Sequence, residues 1–320
     1  MDNRLPKFVE FHEEGPREGF QIEKRRFPLE GRVRFINALS KTGLKRIQVA
    51  SFVNPKAVPS MSDAEELFKA ITRREGVRYT GVWLNKRGFE RIAALPGAYL
   101  YGKIVLYTTD AFSLMNNNCT AAQMRRKQIE MLKAYDACGL PLQEAYILTA
   151  FGCNLSGHVP LSTVMDCVKF IVDICRNQNR PLPHIFLADT VGWANPEGLK
   201  RQIESVRGAT PGARIGLHLH DTRGLGAANF YAALEMGIDL FDSSVAGLGG
   251  CPFAAFKDNR AAGNICTEDM VFMCEELGIQ TGIDLQKMIA AARLAEKIIG
   301  RPLPGKIMHS GLPSILRKAC

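Results

Sequence analysis

The sequence has no run approaching the ~18–20 consecutive apolar residues of a membrane-spanning helix, which removes helical membrane proteins from consideration. Met1 to Lys7 offer neither the apolar core of a secretory signal nor the Arg/Ser-rich helix of a transit peptide, so a soluble, cytoplasmic protein is expected. There is no CxxC pair. The nine cysteines are odd in number and scattered, which excludes a disulfide framework and predicts reduced, mostly buried thiols. Dense basic blocks are missing as well. The net charge is +9, but Lys24–Arg25–Arg26 and Arg125–Arg126–Lys127 are the densest runs, so no nucleic-acid partner is expected. A dispersed positive field suits a solvated surface or a small polyanionic substrate. Nor does a glycine-rich fingerprint follow the first candidate strand, where Glu14–Gly15–Pro16–Arg17 stands instead, and this counts against a doubly wound dinucleotide fold.

What is present is repetition. Hydrophobic residues make up 46% of the 320 positions, ample for a large core. A β-rich run, a polar loop and an amphipathic helix recur along the chain. Strands are predicted at Val9–His12, Arg46–Ser51, Arg78–Leu84, Ala98–Thr108, Glu144–Ala150, His184–Ala188, Arg214–His220 and Leu240–Val245. Apolar residues at i, i+3 and i+4 predict helices over Arg32–Thr42, Ala64–Arg74, Ala121–Ala137, Leu161–Arg176, Pro196–Val206 and Ala227–Met236. Asn195 before Pro196 reads as a helix cap, and Gly43, Gly139, Gly208 and Gly237 as helix stops. Strand–helix units without a linker imply a single (β/α)8 TIM barrel domain over 1–320. Residues 267–320 are then a C-terminal extension, with two helices in Thr267–Gly300 and a Pro- and Gly-containing tail over the barrel surface.

Barrel chemistry gathers at the C-terminal ends of strands. The seventh strand ends His218–Leu219–His220–Asp221, and residues i and i+2 of a strand share a face, so both imidazoles can meet one metal or can be ordinary core residues. The first ends Glu13–Glu14–Gly15–Pro16–Arg17–Glu18–Gly19: either a solvated charged loop, or a carboxylate ligand at Glu18 beside an Arg17 that holds developing negative charge. The eighth runs into Gly247–Leu248–Gly249–Gly250–Cys251–Pro252, where Cys251 is a plain thiol or a proton donor to carbon on a mobile loop. Asn264 offers a carbonyl oxygen. Asp189, after the sixth strand, is a base, an orienting group or the cap of a turn.

Together these segments resemble the 3-hydroxy-3-methylglutaryl-CoA lyase family of aldolase-type barrels. The resemblance runs through Gly15–Pro16–Arg17, Ser51–Phe52–Val53–Asn54–Pro55–Lys56, Gly88–Phe89–Glu90, Asp189–Thr190, His218–Leu219–His220–Asp221–Thr222 and Asp242 to Pro252. It implies a divalent cation, Mg2+ or Mn2+, on Glu18, His218, His220 and Asn264. Catalytic roles are implied for Arg17 at the thioester oxygen, Cys251 as acid/base and Asp189 at the tertiary hydroxyl. Glu13 would support Arg17 or the metal shell. Arg17, Gln21 and Gln48 are the implied substrate contacts, the substrate an acyl-CoA and the assembly a homodimer. The implied reaction is retro-Claisen cleavage to acetyl-CoA and a keto acid.

This sequence departs from the family in three ways. Glu18 stands where the lyases carry Asp, Gln48 stands where they carry Glu, and the stretch from Cys251 to Asn264, with Phe256–Lys257–Asp258–Asn259–Arg260, is longer. A lyase or Claisen-type synthase for another acyl group therefore stays open, as does a non-catalytic barrel that binds CoA esters.

Overall fold

The computed structural model describes residues 5–23, 25–250 and 263–313. Cys251, the Phe256–Arg260 run and Cys320 lie outside the described residues. The chain divides into two compact units.

One unit holds Lys7–Tyr99, Asp242–Gly250 and the described C-terminal residues. Its strands are β1 (Glu10–Glu13), β2 (Arg46–Ser51) and β3 (Arg78–Val82), in the order β3-β2-β1. They pair in parallel, with His12 opposite Arg46 and Ile47 opposite Tyr79. Every residue of β2 is buried, as expected of a parallel strand covered on both faces. Helix Leu29–Leu39 turns Phe35, Ile36 and Leu39 inward, and Phe20 meets Phe35 edge-on at 5.8 Å. The expected C-terminal helices are Thr267–Glu276 and Leu285–Ile299. Leu285–Ile299 packs on Leu29–Leu39, and Met288, Ala292 and Ala295 are among its buried residues. The tail adds a short helix at Ile307–Ser310.

The other unit, Leu5, Pro6 and Leu100–Phe241 in its described part, carries β4 (Gly102–Tyr107), β5 (Leu142–Leu148), β6 (His184–Asp189) and β7 (Ile215–Leu219). Each pairs in parallel with the next, and Ala188 stands opposite His218. β8 (Leu240–Ser243) straddles the division between the units. Between the strands lie helices Ala121–Ala137, Leu161–Asn177, Pro196–Ala209 and Gly226–Glu235. Side chains cap two of these four: Thr120 and Gln123 form a reciprocal capping box, and the Asn195 side chain accepts from the Gly198 amide at 2.9 Å.

All eight expected strands are present, with ends shifted by a few residues. Among the described residues, three α-helices besides the short one in the tail were not expected: Gly15–Ile22, Lys86–Ala93 and Asp110–Asn117. Each is eight residues long, too short for a hydrophobic period to stand out. Asn85 and Thr109 cap the last two with side-chain oxygens. The glycine stops hold at Gly43, Gly139 and Gly237, all with positive φ, but Gly208 lies inside a helix that continues to Ala209. Five of the seven described free cysteines are buried, as the scattered spacing suggested. Among the described residues, no helix is long and apolar enough to cross a membrane.

The two glycine environments give opposite expectations. At Gly43, φ is +101° and a Cβ would sit 2.1 Å from the Gly282 carbonyl oxygen, whereas at Gly208 nothing lies within 4 Å. Gly43→Ala should lower stability by at least about 2 kcal/mol, and Gly208→Ala should raise it by about 0.5–1 kcal/mol. Urea unfolding of the two variants measures both.

Candidate active site

At the end of β1 the chain turns at once into helix Gly15–Ile22, with Pro16 in its first turn. This turn brings three carboxylates and a guanidinium under cover. Glu13 is fully buried. Its Oε1 accepts from the Gly15 amide at 2.8 Å and the Val245 amide at 2.9 Å, and its Oε2 accepts from the Thr267 hydroxyl at 2.6 Å. Burial pushes the Glu13 carboxyl up to about 7, against the pull of those three donors.

Arg17 spreads its donors over three groups. Nε donates to Gln48 Oε1, Nη2 donates to Glu14 Oε2, and Nη1 donates to Glu18 Oε1 at 3.1 Å. Gln48 Nε2 donates in turn to Glu14 Oε1 at 2.9 Å. Glu14 and Glu18 hold the guanidinium firmly protonated against its burial. Glu18 Oε2 accepts from Asn264 Nδ2 at 2.9 Å, while Asn264 Oδ1 is buried without a hydrogen-bond partner. Gly249 explains why the loop after β8 is glycine-rich: φ is +97°, and a Cβ there would stand 2.8 Å from Glu18 Cβ. The solvated-loop reading of residues 13–19 is set aside by the burial of Glu13 and Glu14.

In the other unit, His218 and His220 point the same way, as alternation along β7 requires. Both are buried, with Nε2 atoms 3.0 Å apart. Asp189, at the end of β6, is only 1% exposed. Its Oδ1 accepts from the Trp193 amide at 2.6 Å, so it does cap a turn, but its Oδ2 is buried with no hydrogen-bond partner. Burial raises the Asp189 carboxyl to about 6, partly offset by the amides of Ala194 and Trp193, Arg223 and His218. Gln21 sits in helix Gly15–Ile22, with Oε1 buried and without a partner.

Two residues of this region carried no assigned role in the sequence. Glu14 was one more acid in a charged run, yet it is the carboxylate that meets Arg17 and Gln48. Glu268 carried no signal beyond its place in a helix start. It is fully buried, and both its oxygens accept from the amide of Ala246, a non-glycine residue with φ +58°.

The chain is similar to known proteins over most of its length. The HMGL-like family matches residues 8–295. Hydroxymethylglutaryl-CoA lyase YngG of Bacillus subtilis is 35% identical over 301 residues, 94% of this chain and 96% of its own length. The cytoplasmic 3-hydroxy-3-methylglutaryl-CoA lyase of Homo sapiens is 36% identical over 306 residues, 96% of this chain and 79% of its own. The solved structure of an HMG-CoA lyase from Acinetobacter baumannii, in complex with coenzyme A and 3-methylmalate, aligns with a TM-score of 0.85 at 35% identity, covering 98% of this chain and 97% of that one. The Bacillus subtilis HMG-CoA lyase structure gives 0.85 at 33% identity, covering 96% and 98%. The fold is thus the expected (β/α)8 barrel. The chain belongs to the HMGL-like family.

Glu268 gives this region a pH-dependent stability. Burial raises its carboxyl from 4.5 to about 8, with Asp269 and Glu13 adding to the rise. The folded state therefore holds this proton more tightly than the unfolded chain. The stabilisation is full below pH 4.5 and is lost as pH rises through about 8. Glu268→Gln should raise the thermal midpoint relative to the parent at pH 9, and the gain should shrink towards pH 6. Paired melting curves across that range check it; a constant difference would contradict it.

Proposed function

We propose that this chain is a carbon–carbon lyase that cleaves a 3-hydroxy-3-methylglutaryl-CoA-like thioester into acetyl-CoA and a keto acid. The reading is carried by one observation: a member of the family keeps a set of nitrogen and oxygen donors of metal-ligand type, His218, His220, Glu18 and Asn264. His218 and His220 form a buried pair in one unit, and Glu18 accepts a hydrogen bond from Asn264 in the other unit. The donors suit Mg2+ or Mn2+. Octahedral ligands at ~2.1 Å from a metal lie ~3.0 Å apart when adjacent, which is the spacing of the two imidazole nitrogens. The buried, unpartnered Oδ1 of Asn264 is a further acceptor of the right hardness. On this reading His218, His220, Glu18 and Asn264 hold the cation, which when bound makes the substrate hydroxyl more acidic.

The chain's own groups do the rest. Asp189 Oδ2 accepts the proton of the tertiary hydroxyl; with a pKa of about 6 the carboxylate is mostly ionised at neutral pH yet basic enough to take it. The C2–C3 bond then breaks, the hydroxyl carbon becomes the ketone, and the bonding pair moves into the thioester as an enolate. Arg17 donates hydrogen bonds to the enolate oxygen. Cys251 returns a proton to the enolate carbon, completing acetyl-CoA. Gln21 presents its amide to the substrate, Gln48 acts on the substrate through Arg17, to which its amide is bonded, and Glu13 fixes the turn from which Arg17 projects. The +9 net charge favours capture of the polyanionic CoA moiety. On the same reading residues 1–320 act as one barrel domain, as a homodimer in the cytoplasm.

Hydroxymethylglutaryl-CoA, citramalyl-CoA and longer branched analogues, offered with Mg2+ or Mn2+, test the proposal by release of acetyl-CoA. Cleavage of at least one is expected; turnover of none by metal-loaded protein would end it. Cys251→Ser should lower kcat by roughly a hundredfold or more while metal content by elemental analysis stays unchanged. Undiminished turnover would remove Cys251 from the reaction.

A further inference from the structure

Arg17, Gln48 and Glu14 close a ring of hydrogen bonds. Arg17 presents one edge of its guanidinium, Nε and Nη2, to two different acceptors: Gln48 Oε1 and Glu14 Oε2. Gln48 Nε2 closes the ring on Glu14 Oε1. Glu14 is 4% exposed and Gln48 5%. The ring permits a single orientation of the amide, because its oxygen must face the guanidinium and its NH2 the carboxylate. It contains one cation and one anion in a buried setting, so removing the anion leaves Arg17 bonded to Glu18 alone among carboxylates and frees the Nε–Nη2 edge, and adding a second anion sets two carboxylates against each other within the ring.

We propose that Glu14 is a positioning residue: its carboxylate, linked through the Gln48 amide, fixes the plane in which the Arg17 guanidinium faces the substrate. The inference depends on the lyase reading only for the identity of that substrate. It explains why a neutral residue is tolerated at position 48. The negative charge of the ring resides at position 14, and the two positions are coupled, so that one must be a carboxylate and the other an amide.

The coupling gives a double-mutant cycle. Glu14→Gln and Gln48→Glu singly should each lower kcat by roughly 10- to 100-fold with much smaller changes in KM. The double variant Glu14→Gln/Gln48→Glu exchanges amide and carboxylate within the same ring, and should recover kcat to within roughly threefold of the parent. The second readout does not need catalysis. The Arg17 Nε–H, assigned by its absence in Arg17→Lys, should exchange slowly in 15N NMR of the parent and the double variant, and rapidly in both single variants. The proposal is overturned if Glu14→Gln keeps parental kcat and a protected Nε–H. It is overturned too if the folded double variant is no better than either single one. Loss of bound Mn2+ from Glu14→Gln with Nε–H protection intact would also overturn it, because Glu14 would then serve the cation instead. If no thioester is turned over by the parent, the lyase reading fails, and the NMR arm still decides the position of Arg17.

Discussion

Burial of charge at the end of β1 is the constraint on which the rest of the site depends. A strand that ends in Glu13 and Glu14, followed by Arg17 and Glu18, would ordinarily point such groups into water. Here the turn into helix Gly15–Ile22 takes them inside, and each must find partners there or be prohibitively expensive. Glu13 finds them in the Gly15 and Val245 amides and the Thr267 hydroxyl. In doing so it ties the segment after β1 to the segments after β8 and at the start of helix Thr267–Glu276. The residues with chemical promise, Arg17, Glu18 and Asn264, all hang from the elements this carboxylate joins.

The same burial sets the electrostatics. Glu13, Asp189 and Glu268 have carboxyls raised to about 7, 6 and 8, with desolvation the largest cause in each. They differ in what their oxygens do. Glu13 and Glu268 are taken up by backbone amides and a hydroxyl, so they hold turns, including the strained one at Ala246. Asp189 uses one oxygen to cap a turn and leaves the other without a partner. Similar shifts therefore accompany different roles, and the hydrogen-bond inventory, not the shift, separates a structural acid from one available for proton transfer.

The departures from the lyase pattern take on meaning in this setting. Gln48 removes a charge from β2, but it does not leave Arg17 without an anion, because Glu14 meets the guanidinium directly. Glu18 keeps its charge with a longer reach, and its two oxygens are shared between Arg17 and Asn264. Both changes leave the Arg17 guanidinium hydrogen-bonded to carboxylates, Glu14 and Glu18.

Sequence alone determined what depends on local period and residue type. Alternation and 3.6-residue spacing gave the eight strands and the longer helices. HxH on a strand put two imidazoles on one side, and the motif set gave the family. The short helices escaped because eight residues hold barely two turns, and Gly208 was misread as a stop because a glycine's tolerance for positive φ does not oblige it to adopt one. Which acid meets Arg17 was decided only by the tertiary structure. Glu13 and Glu14 are adjacent and chemically alike, and their fates diverge because the backbone turns between them. One faces the amides of Gly15 and Val245; the other faces the guanidinium and Gln48. Partners far apart in the chain, such as Glu18 with Asn264 and Glu268 with Ala246, are likewise set by packing, since no local pattern encodes where a buried polar group will find its complement.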